Sequence, residues 1–135
     1  MTGFRGFVEE GYGILCEDYP TILKQMTLAG RKMVARIRYS EESLLIRFER
    51  HGLEFQDDSP SAVDLECIIS PKIFFSIVDG RITLADAIWS RDLTLVGEHQ
   101  RLLAFYRIGE LLLGAVRGSP GFASLLAKFK TSNGA

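Results

Sequence analysis

Residues 79–97, DGRITLADAIWSRDLTLVG, contain the sharpest secondary-structure boundaries in the chain. Gly80 predicts the end of a helix, because glycine readily takes the left-handed conformation that closes one. Thr83 and Asp86 stand three residues apart, as in a weak capping box, and predict a short helix over LADAIW. The alternating LTL then predicts a strand that Gly97 ends. The stretch has no histidine and no cysteine, so its boundaries organise a fold without an evident reactive group.

Helices are predicted on both sides of this stretch. Ser70 followed by Pro71 is a typical start for the helix PKIFFSIV, with a hydroxyl at the N-cap and proline at the first helical position. A long helix is predicted over residues 98–116, and Ser119 with Pro120 predicts the start of a terminal helix.

The chain before residue 70 has a different period. Residues 20–29 have helical spacing, but the segments MVARIRYS, SLLIRFER, LEF and AVDLECII alternate between apolar and polar residues, as strands with one buried face do. Strands grouped together and followed by helices indicate an α+β fold with helices on one side of the sheet. We therefore predict one domain over residues 20–130.

The two ends of the chain are harder to interpret. Residues 1–19 carry apolar residues near helical spacing, but their four glycines each weaken a helix by up to about 1 kcal/mol. We predict an N-terminal arm or weak helix there, and a disordered tail over residues 131–135.

Composition excludes several classes of protein. The net charge of −1 and the pI of about 6.1 argue against a nucleic-acid partner. The start of the chain does not resemble a secretory signal, and the longest apolar run is shorter than the roughly 20 residues of a membrane span. We expect a cytoplasmic protein in which Cys16 and Cys67 are reduced and buried, and we find no motif for a catalytic group, a metal or a cofactor.

The helices are more apolar than a sheet cover requires. A helix that covers one sheet face needs an apolar stripe of about 100°, whereas the long helix is apolar over nearly its full circumference. A central buried helix or a partner subunit would explain this surplus, and so would an apolar cavity that a lipid occupies. For the second hypothesis, the predicted lipid-binding residues are Ile73, Phe74, Ile77, Ile88, Trp89, Leu102, Phe105, Tyr106, Leu112, Phe122, Leu126 and Phe129.

Residues 68–108 contain a pattern of glycines and apolar residues, formed by Ser70, Gly80, Ala85, Ala87, Trp89, Leu93, Leu95, Gly97, Leu102 and Leu103. This pattern resembles the second half of the sterol-carrier-protein lipid-transfer domain. The alternating segments before it are similar to the first half of that domain. One departure is Arg91, where the family often has glycine, and it implies a different turn or a cationic side chain there.

The resemblance implies a five-stranded, mostly antiparallel sheet with helices on one face and a hydrophobic tunnel between them. Members of that family bind sterols, fatty acids, acyl-CoAs, phospholipids or isoprenoid quinone precursors, generally without acting chemically on the ligand. We therefore expect a non-enzymatic lipid carrier, with transient membrane contact and a homodimer as further expectations. The candidates for contacting a polar head group are Arg91, Arg101 and Arg107, because arginine pairs well with carboxylates and phosphates.

Two alternatives remain open from the sequence. The apolar helices would also suit an accessory or scaffold subunit that docks in a lipid or quinone biosynthetic assembly. An enzyme such as a steroid isomerase would need an acid in an apolar site, for which Asp86 and Glu110 are poor candidates.

Overall fold

The computed structural model of the chain describes residues 3–132, which form six helices and five strands. The order of elements is α, α, four strands, α, α, one strand, α, α. Their bounds are α1 Phe4–Asp18, α2 Pro20–Ala29, β1 Val34–Tyr39, β2 Glu42–Glu49, β3 Gly52–Asp57, β4 Leu65–Ile69, α3 Pro71–Val78, α4 Leu84–Trp89, β5 Thr94–Gly97, α5 His99–Arg117 and α6 Pro120–Ser132.

The five strands form one sheet in the order β3-β2-β1-β4-β5. Strand β1 pairs in parallel with β4, and the other three pairings are antiparallel. The chain crosses from β3 to β4 through a loop, so β4 joins the free side of β1. The prediction of a five-stranded, mostly antiparallel α+β fold is confirmed.

The two faces of the sheet differ in chemistry, as the alternating sequence predicts. On the inner face of β1, Ala35 and Tyr39 are buried beneath the helices. On the outer face, Arg36 and Arg38 both form ion pairs with Glu66 of β4. The register places Arg36 directly beside Glu66, so a charge ladder follows from strand pairing. The helices pack on the apolar face.

Three helices begin where the sequence predicts, each with a side chain that caps its first turn. Ser70 Oγ accepts a hydrogen bond from the Ile73 amide at 3.3 Å, and Thr83 Oγ1 accepts one from the Asp86 amide at 3.0 Å. Ser119 Oγ caps α6 in the same way. Each bond satisfies an amide that would otherwise lack a partner in the first turn, so local sequence sets where these helices begin.

The ends of the chain differ from the sequence-based boundaries. Residues 4–18 are a continuous helix, and its residues Phe4 and Leu15 are buried in the same core as the sheet. Tertiary contacts on this apolar stripe offset the low helix propensity of its glycines. At the other end, α6 continues through Ser132, so residues 131 and 132 are helical and the tail predicted over 131–135 begins too early. Residues 133–135 lie outside the described part of the chain.

Candidate functional site

A cavity of about 270 Å³ lies between the sheet and the helices. Its wall consists almost entirely of apolar atoms. The sheet contributes residues at every second position of its inner face, and the helices contribute residues three or four apart. The lining residues are Phe4, Phe7, Val8, Gly11, Tyr12, Leu15, Met26, Met33, Ala35, Ile37, Ile46, Phe48, Leu53, Phe55, Cys67, Ile69, Phe74, Ile77, Val78, Leu84, Leu93, Phe105, Ile108, Gly109, Leu112, Leu113, Val116, Phe122 and Leu126.

Helix α1 forms a large part of the wall that the sequence analysis did not assign. It contributes six lining residues, among them Phe7, Val8 and Tyr12. Their helical spacing was the available signal, but the glycines between them argued against a helix. The close approach of α6 depends on one of those glycines, because a side chain at Gly11 would meet Phe122 at 3.2 Å.

The cavity wall carries few polar groups. Tyr12 Oη accepts a hydrogen bond from the Leu53 amide at 3.1 Å, so the tyrosine presents its ring to the cavity and its hydroxyl to the sheet edge. Burial raises the pKa of the Cys67 thiol to about 12. No carboxylate and no imidazole of residues 3–132 lines the cavity. The wall therefore suits a hydrocarbon and offers no charged partner to a buried head group.

Six of the twelve predicted lipid-binding residues line this cavity, and six do not. Those brought together in the wall are Phe74, Ile77, Phe105, Leu112, Phe122 and Leu126. Four others pack in the surrounding core without reaching the cavity, namely Ile73, Ile88, Leu102 and Phe129. The remaining two, Trp89 and Tyr106, are exposed. Which of these residues a ligand contacts stays a prediction.

Trp89 does not face the cavity, contrary to the sequence-based placement. Leu84 and Ala87 share the buried side of the short helix α4, three residues apart. Trp89 follows Ala87 by two residues, which rotates it by about 200° to the opposite side. Its side chain is 91% exposed.

Tyr106 does not line the cavity either. Its neighbour Phe105 and the residues Ile108 and Leu112 of α5 do line it. Tyr106 is 38% exposed, and the nearby Glu110 carboxylate raises its pKa. Part of the apolar surplus of α5 therefore faces solvent.

None of the three arginines proposed for a head group lines the cavity. Arg91 and Arg107 are exposed, and Arg101 is half-buried near the start of α5. Arg91 has a φ of 64°, the left-handed conformation that glycine takes without strain. The turn is thus one that glycine would form readily, and Arg91 keeps it at a steric cost.

We expect Arg91→Gly to stabilise the protein by about 0.5–1 kcal/mol, because it removes the left-handed strain of a residue with a Cβ atom. Urea denaturation at pH 7 measures the free energy of unfolding. Arg91→Ala is the matched control, since it removes the side chain but keeps the strain. Equal stabilisation by both variants would contradict the conformational explanation.

The cavity ends against a group of stacked rings, here named the aromatic cluster and formed by Phe4, Phe7, Tyr39, Phe74, Phe75 and Phe129. Phe4 stacks on Tyr39 with ring centroids 4.5 Å apart, and Phe7 stacks on Phe129 at 4.2 Å. Phe74 meets several of these rings edge to face. The aromatic cluster ties α1, β1, α3 and α6 together beside the cavity.

The two cysteines have different environments, so the prediction that both are buried is wrong for Cys16. Cys16 is exposed near the end of α1, and Cys67 is buried at the cavity wall. The thiolate is the reactive form, so a thiol with a pKa of about 12 stays unreactive at pH 8. We expect the native protein to take up one equivalent of a maleimide and the urea-unfolded protein two, as measured by intact mass. Labelling of Cys67 in the native state at the rate of Cys16 would contradict this placement.

Neither a span nor a metal centre is found in residues 3–132. None of the helices there is long and apolar enough to cross a membrane. No three of the histidine, cysteine, aspartate and glutamate side chains in this range lie together in a way that could hold a metal ion.

The fold of the chain is that of the sterol carrier protein 2 domain, as comparison with solved structures shows. No family model and no curated protein matches the sequence. The UbiJ-SCP2 ubiquinone synthesis protein aligns with a TM-score of 0.58 at 19% identity, over 89% of this chain and 99% of that one.

Two insect proteins share the same architecture. The sterol carrier protein domain 2 of Helicoverpa armigera aligns with a TM-score of 0.59 at 9% identity, over 84% of this chain and 95% of that one. Palmitated SCP2L2 from Aedes aegypti aligns with a TM-score of 0.54 at 12% identity, over 80% and 94% of the two chains. The resemblance read from residues 68–108 is confirmed at the level of the fold.

Proposed function

We propose that this protein is a non-catalytic lipid carrier that holds the apolar part of one lipid molecule in the cavity. The observation that carries the proposal is the cavity itself, about 270 Å³ with an almost wholly apolar wall in a sterol-carrier-type fold. Folded proteins fill their interiors at crystal-like density, so an apolar space of this size is unusual in a packed core and is of the kind that holds a hydrocarbon ligand. A structural neighbour that was solved palmitated supports the same reading.

The size of the cavity bears on the class of lipid. Its volume of about 270 Å³ lies just below the usual range for ligand pockets, roughly 300–1,000 Å³. A single acyl or prenyl chain suits it better than both chains of a phospholipid, and a sterol would require the helices to move apart. The polar head group stays near the surface, since the wall holds no charged partner for it. Arg91, Arg101 and Arg107 remain proposals for that contact.

Affinity would come from hydrocarbon burial. About ten buried methylene groups contribute roughly 8 kcal/mol, at about 0.8 kcal/mol each. That free energy corresponds to a dissociation constant of about 1 μM before the entropy cost of association. No reaction of the ligand is part of the proposal, and burial keeps the thiol of Cys67 at the wall protonated.

Native mass spectrometry of gently purified protein tests the proposal. We expect a fraction of the molecules to carry one copurified lipid, and delipidated protein to bind a fluorescent fatty acid at micromolar concentration with 1:1 stoichiometry. Absence of both copurified lipid and fatty-acid binding would refute the carrier function.

A second candidate is an accessory subunit that docks through its apolar helices in a lipid or quinone biosynthetic assembly. The exposure of Trp89 and of Leu103 favours it, because large apolar side chains on a surface often mark interaction sites. Sedimentation with and without Trp89→Ser discriminates the two. A tight oligomer that dissociates in the variant, without fatty-acid binding by either form, would favour docking over carriage.

A further inference from the structure

We propose that α1 is a cover over the cavity and that its N-terminal half detaches from the sheet to let ligand enter and leave. This inference rests on the proposed function, because it assigns ligand exchange to one wall of the cavity. Helix α1 contributes six lining residues, from Phe4 at its first position to Leu15 near its last turn. Detaching its N-terminal half would uncover the cavity beside Phe4, Phe7 and Val8.

The polar contacts that hold α1 to the edge strand β3 are weak and reversible. Arg5 Nη2 donates a hydrogen bond to the Phe55 carbonyl at 3.1 Å, and the Arg5 guanidinium forms an ion pair with Asp57. The Asp57 side chain is largely exposed, and exposed ion pairs contribute little and are screened by salt. Nearer the middle of the helix, Tyr12 Oη accepts the hydrogen bond of the Leu53 amide.

The N-terminus of α1 is capped by the sheet and not by its own sequence. The N-cap residue Gly3 has no side chain to cap the helix, and the first turn contains no acidic residue. The Phe4 amide instead donates to Glu42 Oε1 at 2.9 Å. Gly6 and Gly13 further lower the helix propensity. The first turn is therefore stabilised mainly while it is docked, and it frays once it detaches.

A buried hydroxyl beside this end of α1 opposes the closed state. Tyr39 is 1% exposed, and within residues 3–132 its Oη atom has no hydrogen-bond partner. Burial, with a smaller effect from the Glu42 carboxylate, raises its pKa to about 12. The Phe4 ring stacks on the Tyr39 ring, so withdrawing Phe4 opens the tyrosine to water. Closing α1 thus leaves a polar group desolvated, and opening it relieves that cost.

The joint between α1 and α2 is a single residue. Tyr19 has a φ of −135° and a ψ of 52°, outside the helical region, and Pro20 begins α2. The residue before a proline avoids the helical conformation, which keeps the two helices as separate rods. Helix α2 buries Met26 and packs against α5, so it stays in place while α1 pivots.

The open state is a minor one. Detachment separates Phe7 from Phe129 in the aromatic cluster, which has an apolar cost. A minor state populated at roughly 0.1–10% is sufficient for exchange without losing the ligand at equilibrium. If α1 is such a cover, variants that alter its contacts with the sheet should change the rate at which ligand enters and leaves the cavity.

Stopped-flow release of a fluorescent fatty acid into excess unlabelled oleate measures that rate. We expect Arg5→Glu and Asp57→Arg each to speed release about two- to fivefold. Each variant replaces the attraction between residues 5 and 57 with a repulsion, which favours detachment of α1. The double variant Arg5→Glu/Asp57→Arg restores the attraction and returns the rate toward that of the unmodified protein. Lys128→Glu, an exposed charge reversal on α6, is the matched control and leaves the rate unchanged.

Tyr39→Phe gives the opposite result. Removing the unpaired hydroxyl favours the closed state, and we expect release about five- to tenfold slower. A merely structural role for Tyr39 would raise stability without slowing release. Unchanged release rates in Tyr39→Phe and in both single charge variants, with normal binding, would overturn the cover while leaving the carrier function intact.

Amide hydrogen exchange of the ligand-free protein decides the inference even if no fatty acid binds. The cover predicts that amides of α1 exchange faster than those of α5, faster still in Arg5→Glu, and more slowly in Tyr39→Phe. Protection of α1 equal to that of α5 in all three proteins would overturn it. Failure of fatty-acid binding together with this exchange pattern would refute the carrier function and not the mobility of α1.

Discussion

Ala35→Phe is expected to weaken fatty-acid binding at least 100-fold. Ala35 lies on the inner face of the central strand β1, is 2% exposed and lines the cavity with only a methyl group. A phenyl ring there occupies the space that the lipid tail would fill. Because it grows into a void instead of a packed region, the cost of about 1–3 kcal/mol for overpacking is largely avoided. Titration with a fluorescent fatty acid measures the dissociation constant.

Ala123→Phe is the matched control for that variant. Ala123 is exposed on α6 and does not line the cavity, so the same substitution should leave the dissociation constant unchanged. Urea denaturation of both variants verifies that the loss of binding does not reflect unfolding. If a folded Ala35→Phe protein binds as tightly as Ala123→Phe, the ligand is held somewhere other than this cavity.

Phe129→Ala is expected to lower the free energy of unfolding by about 3–5 kcal/mol, the range for deleting a large buried aromatic side chain. Phe129 is completely buried, and its ring contacts those of Phe7, Tyr39 and Phe75. Its removal leaves a hole where α1, β1, α3 and α6 meet. For a domain of this size such a loss is a large fraction of the total stability. Urea denaturation measures it.

Trp89→Ala serves as the control for this stability prediction. It deletes a still larger aromatic side chain, but one that is 91% exposed, and surface substitutions usually change stability by less than about 0.5 kcal/mol. A loss at Phe129 no greater than at Trp89 would contradict the role of the aromatic cluster in holding α1, β1, α3 and α6 together. Fatty-acid binding by Phe129→Leu, which retains much of the buried volume, separates a stability role from a ligand contact.

Local signals in the sequence predicted most of the fold. The caps at Ser70, Thr83 and Ser119 are decided by atoms within three residues, so a short motif is sufficient to place them. The strands were predicted equally well, because successive side chains of a strand point alternately to the core and to the solvent. Helix α1 could not be predicted from local signals, because its formation depends on contacts with residues that are distant in the sequence.

The cavity was less predictable than the sheet, because core and cavity wall have the same composition. Phe74 lines the cavity while Ile73 does not, and one residue of helical rotation separates them. Trp89 shows the same limit, since apolar character does not reveal which side of a six-residue helix is buried. The left-handed turn at Arg91 is a backbone property that no side chain there signals.

Methyl NMR with a spin-labelled fatty acid locates the ligand and so shows whether it occupies the cavity. With a nitroxide near the end of the chain, we predict that the methyl signals of Ile37, Ile77 and Leu112 at the cavity wall broaden at one equivalent of ligand. Leu28 and Leu103, which are 61% and 56% exposed, should broaden less. Stronger broadening at Leu28 or Leu103 than at the cavity wall would contradict ligand binding in the cavity.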